Sequence, residues 1–177
     1  MENRQPKLQL SLEHYTRKVT DGSADAYSHL SMGLMWHWHE GYREALECFD
    51  RAVNSEPFVP YSLCARASLL ATCPIAEFRD GRQSLVDAQR ARDGAALAGE
   101  LKEEWRLRTY SAVLAAAHSE CGNYAKATEV LRRSIAQLQT HTSRSQLTTY
   151  LRAAENSKSL RLEHGLLRQG ERRPSAA

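Results

Sequence analysis

Apolar positions along most of this chain recur every three or four residues, the spacing that lines one face of a helix. Little of it alternates as a half-buried strand does. In the stretch 45–53, ALECFDRAV, the residues Ala45, Leu46, Cys48, Phe49, Ala52 and Val53 fall along one side. The stretch TYSAVLAAAHSEC near residue 110 is built from alanine and leucine, both strong helix formers. Breaks fall at Gly22, Gly41, Pro57, Pro60, Pro74, Gly81, Gly94, Gly99 and Gly122. Helices of ordinary length fit between them, so the pattern predicts an all-α fold.

The helices also repeat. HLSMGLMW sets His29, Met32, Gly33 and Trp36 at fixed intervals, and the following EGYREALECFDRAVNSEP adds Ala45, Phe49, Ala52 and Pro57. These residues resemble the tetratricopeptide pattern W-x2-L-G-x2-Y…A-x3-F…A…P, whose period is about 34 residues. A second copy, VLAAAHSECGNYAKATEVLRRS, has Leu114, Ala115, His118, Gly122, Tyr124, Ala127, Leu131 and Ser134 in the same register. Gln139 stands there in place of the terminal proline, so the second helix of that unit is expected to run on. The middle copy pairs YSLCARASLLATCP with GRQSLVDAQRA, Ser84, Ala88 and Ala91 matching the A, F and A positions across an enlarged turn, PIAEFRD. Its LLATCP…RDG form is similar to a tetratricopeptide variant of large bacterial multi-domain proteins. Asp80 with Gln83 has capping-box spacing, as does Ser143 with Gln146.

The resemblance implies an α-solenoid of antiparallel helix pairs in one domain, residues 1–168. It divides into a partial repeat at 8–25, a repeat at 26–59, an expanded repeat at 60–107, a repeat at 108–141 and a capping helix at 143–168. Residues 169–177 are expected to be a flexible tail. In the partial repeat Ser11, Tyr15 and Lys18 share the register of Ala45, Phe49 and Ala52. A repeat array leaves its last apolar face open, and the stripe Leu147, Tyr150, Leu151 and Ala154 suits a helix that closes it.

In such proteins the first helix of each pair lines a concave groove. The positions so assigned are Tyr27, Leu30, Leu34, His37 and Trp38, then Tyr61, Cys64 and Ser68, then Thr109, Ala112, Ala116 and Glu120. That set is apolar, aromatic and nearly uncharged, and suits a helix or extended peptide of another protein. The alternative, that some of these residues only meet neighbouring helices, stands beside it. Leu30 and Leu34 occupy positions where a carboxylate clamp for chaperone tails would need polar groups.

The segment WHWHEGY, 36–42, offers other chemistry. A helix turns about 100° per residue, so His37 and His39 point apart and cannot chelate one ion; a helical pair needs spacing of three or four. No metal or other cofactor is expected. Base stacking on Trp38 would need a basic groove beside it, and the net charge is only +3 over 177 residues. The basic excess falls late, at Arg144, Arg152, Lys158, Arg161, Arg168, Arg172 and Arg173, which makes nucleic-acid binding a minor alternative. Leu8, Leu10, Leu12 and Tyr15 of the first helix offer a self-association surface instead.

No G-x-S-x-G or phosphate-binding glycine loop occurs, and Cys48, Cys64, Cys73 and Cys121 form no CxxC pair. Cys73 and Cys121 sit at expected helix ends, where structural roles suffice. The composition, 42% hydrophobic and 25% charged, is that of a globular chain. No apolar run is long enough to cross a bilayer, and the N-terminus lacks the apolar core of a secretory signal. The expectation is a non-catalytic, cytoplasmic interaction module.

Overall fold

The structure, a computed structural model, describes residues 5–55 and 59–162, with side chains from residue 9 onward. Among these residues there are eight α-helices and no strand. They are α1 (Gln5–Thr20), α2 (Ala26–Trp38), α3 (Tyr42–Ser55), α4 (Pro60–Thr72), α5 (Gly81–Leu97), α6 (Glu104–Glu120), α7 (Tyr124–Gln137) and α8 (His141–Glu155). Two 3-10 turns, Ala76–Phe78 and Glu100–Lys102, lie before and after α5. Pro57, the side chain of Leu8, the last part of the expected capping helix and the tail at 169–177 lie outside the described residues.

Each helix packs on the next, and the pairs α2–α3, α4–α5 and α6–α7 are the most extensively joined. The even-numbered helices also touch one another in sequence, α2 to α4, α4 to α6 and α6 to α8. The odd-numbered helices meet the array mainly through their even neighbours. The result is a solenoid-like stack with a close inner layer, α2, α4, α6 and α8, and a wider-spaced outer layer.

The register positions explain the tight pairing. Ala45, Phe49 and Ala52 on α3 are fully buried, as are Ala127, Leu131 and Ser134 on α7; Ser84, Ala88 and Ala91 on α5 are equally enclosed. Gly33 is needed because Phe49 lies over it: a Cβ there would stand 2.5 Å from Phe49 Cε1. Ser134 replaces an alanine without strain because its hydroxyl bonds that of Ser111 on α6 at 2.7 Å.

One way of ending a helix recurs. At the ends of α1, α2, α6 and α8 a residue with positive φ follows the helix: Gly22, Glu40, Gly122 and Ser157. In each case the next amide reaches back to close a Schellman motif, for example Asn123 N–H to the His118 carbonyl at 2.8 Å. Gly22 and Gly122 supply this conformation without a Cβ penalty, whereas Glu40 and Ser157 adopt it against their preference.

The termini correct four expectations. Asp80 does cap α5, accepting from the Gln83 amide at 2.9 Å, but the Gln83 side chain goes to Asp87 rather than back to the cap. Helix α7 stops at Gln137 instead of running on, because Leu138 turns into extended backbone and buries its side chain. Helix α8 is capped by Thr140, not Ser143. Glu104 on α6 fixes that turn, accepting from the Gln139 and Thr140 amides at 2.9 and 2.7 Å. The terminal helix expected at 143–168 ends at Glu155: Ser157 turns the chain, and the Lys158 amide bonds the Ala153 carbonyl at 3.0 Å.

Candidate binding face

The positions assigned to a groove do lie on the inner-layer helices, but most are covered. Cys64, Thr109, Ala112 and Ala116 have no accessible surface, and Leu30 and Ser68 are buried. His37 is buried too, its ring edge-on to Tyr42 of α3 at 6.0 Å, so it faces its own helix pair. Leu34, Trp38 and Tyr61 are half-buried, and only Tyr27 is well exposed. The set therefore does not form one open recess. Alanine, serine, cysteine and threonine at these positions allow α4 and α6 to approach closely, and the closeness hides them.

What remains of the face has two chemically distinct ends. Tyr61 of α4 meets Trp105 of α6 in a T-shaped contact at 6.2 Å, near the first turns of both helices. Arg106 lies 4.7 Å over the Trp105 ring, a cation–π contact. At the opposite end, where α4 and α6 finish, stands Glu120. One of its oxygens accepts from Arg79 Nε at 2.9 Å, the other from Arg161 Nη1 at 3.1 Å. Arg79 is itself fixed by the Cys73 carbonyl at 2.9 Å. Arg161 also bonds the Ala71 carbonyl at 3.3 Å. These carbonyls belong to the end of α4, where intrahelical donors run out and the helix dipole is negative.

Arg161 comes from the chain beyond α8. After Ser157 the polypeptide passes without regular structure to α6 and α4. Leu160 is 1% exposed and joins the buried cluster that holds Cys64, Ala112 and Ala116. Sequence reading missed Leu160, Arg161 and Arg79 as partners of the face. Arg161 is 90 positions from Ala71 and 41 from Glu120, so no local spacing reveals the contact.

A second recess, of about 360 Å³, lies between α1 and α2, lined by Leu10, His14, Lys18, Tyr27, Met32 and Met35 among others. At its inner side the Tyr15 hydroxyl and His29 Nδ1 stand 2.7 Å apart. Lys18 donates to Ser28 at 2.9 Å, and Ser28 to the α2 cap Asp25.

All four cysteines are free thiols, three of them buried. Burial pushes each thiol above its ordinary range, including Cys73 and Cys121, so none is poised as a thiolate. Among the described residues no group of three or more His, Cys, Asp or Glu stands ready to hold a metal ion. No helix among them is long and apolar enough to cross a membrane. No protein-family model matches the chain, and no curated protein matches it.

Proposed function

We propose that this chain is a tetratricopeptide-like, non-catalytic interaction module whose inner helical face holds an extended segment of another protein. The observation that carries the reading is the stretch around Leu160: a non-helical piece of chain held on that face by one apolar anchor and one arginine. A surface that seats such a segment has the properties of a peptide-binding groove, with rigid helices behind it and little reorganisation on binding. The raised thiols and the residues given over to packing fit a binding role better than a chemical one.

The test is capture of partners on the immobilised protein, compared with a Trp38→Ala variant of unchanged melting temperature. Loss of specific partners from the variant is expected. An identical partner set on both proteins would remove the inner face from consideration.

Self-association is the second reading, favoured by a separate observation. Leu10 on α1 and Tyr27 on α2 expose 66% and 58% of their surface beside the α1–α2 recess. Light scattering across a concentration series should detect it, and Leu10→Lys should abolish it.

A further inference from the structure

We propose that the stretch at residues 157–162 is an intramolecular ligand, and that the partner it stands in for presents the same order of side chains: apolar, arginine, apolar. This rests on the reading of the inner face as a peptide-binding surface. It adds the class of peptide and a means of control, because the site is filled in cis until the segment is displaced.

The receptor half is built independently of the segment. Glu120 is oriented from the other side by Arg79, which is anchored on the Cys73 and Pro74 carbonyls. With the segment withdrawn, that carboxylate would remain in position, one oxygen and the Ala71 carbonyl turned toward an incoming guanidinium. A single nitrogen of the cation, Arg161 Nη1, reaches both acceptors, at 3.1 Å from Glu120 and 3.3 Å from the Ala71 carbonyl. Next to Arg161, Leu160 is buried in the main apolar cluster of the stack, 1% exposed.

The ligand half is releasable. Arg161 keeps 43% of its side chain exposed, so its ion pair is partly screened by water and salt. Its neighbour Leu162 is only partly buried. Leu160 follows five positions after Glu155, the last residue of α8. A tether this short gives an effective concentration on the order of 1 mM. A free peptide with an intrinsic Kd on the order of 0.1 mM would then bind the intact chain about tenfold more weakly than an emptied site.

The experiment titrates a fluorescent synthetic peptide of residues 157–162 into the full chain and into a Leu160→Ser/Arg161→Glu variant, read by anisotropy. Helix content and melting are checked by circular dichroism. If the double variant does not fold, Arg161→Glu alone takes its place. The expected result is a gain of about tenfold or more for the variant. That gain should vanish when the peptide's arginine is replaced by alanine, and again when Glu120→Gln is added to the protein. Equal affinity in the folded variant and the intact chain overturns the proposal, as does binding indifferent to the peptide's arginine. Partner capture separates the two readings. If the releasing variant gains no peptide affinity while Trp38→Ala still loses partners, the inner face binds but the segment is only core. If capture is also indifferent to that substitution, both readings fall.

Discussion

Arg66 takes the place in the middle unit that Met32 and Leu114, both buried, take in the units on either side. It is tolerated because its guanidinium is bonded to two acids. Nε and Nη2 form a bidentate pair with Asp87 at 2.7 and 3.0 Å, while Nη1 reaches Asp50 at 2.8 Å. Gln83 adds a fourth bond, to Asp87 at 2.9 Å. The two acids differ in setting: the Asp87 side chain is fully buried, and that of Asp50 is 49% exposed. Removing Asp87 leaves a charge, 13% exposed, without its main partner, so Asp87→Ala should cost ~3–5 kcal/mol. Asp50→Ala should cost no more than ~1 kcal/mol, the scale of a rim ion pair. Urea unfolding followed by circular dichroism reads both. With a slope of about 2 kcal/mol/M the midpoint should fall by about 1.5–2.5 M for Asp87→Ala and under ~0.5 M for Asp50→Ala. An apolar pair, Arg66→Met with Asp87→Leu, should recover most of the loss, because both charges leave the interior together. Equal shifts for the two single variants, or no recovery in the double, would refute the account of Arg66 as a buried charge held mainly by Asp87.

Three further outcomes are expected. Phe49→Ala should destabilise by ~3–5 kcal/mol, and Gly33→Ala should also lower the melting temperature, since its methyl group would meet the Phe49 ring; a neutral Gly33→Ala would mean the α2–α3 contact has slack. Burial, then the charge of Arg51, holds His29 below its ordinary value of about 6.5, against a smaller upward pull from Asp25. The folded state therefore favours the neutral ring beside Tyr15. Its contribution is full above about pH 6.5 and is lost as pH falls toward the depressed folded value, where the unfolded chain binds the proton more readily. Melting temperatures from pH 7.5 to 5 should decline less steeply in His29→Asn, although His118, lowered chiefly by burial, adds a decline of the same sign. Finally, Glu104→Ala should accelerate hydrogen exchange at the Gln139 and Thr140 amides, which its carboxylate accepts; unchanged rates would mean that the α7–α8 turn holds by itself.

The helical class and the pairing register were legible because they depend on spacing within one helix or one pair. Ala45, Phe49 and Ala52 announce a buried face whatever lies beyond. Helix ends were legible where glycine marks them, at Gly22, Gly122 and Gly41 beside Glu40, and hidden where Ser157 does the same work. Ser157 had the larger consequence, since the stop at Glu155 frees the following residues to leave the helix axis. The Arg66–Asp87 pair was illegible for a different reason: 21 positions separate the partners, and only the packed helices bring them together.

The candidate face shows how far sequence can reach toward a site. Small residues such as Ala112 and Ala116 are ambiguous, because the same side chains floor an open recess or let two helices close. Their neighbours decide, and here they are covered. Glu120 is different. It is the only charged residue among the twelve positions assigned to the face, and it occupies the last turn of α6, where the helix dipole disfavours a carboxylate. An acid so situated is stabilised by cations, and two arginines from distant parts of the chain supply them. The physical demand for a guanidinium at Glu120 was thus already present in the sequence, although which arginine meets it depends on the fold.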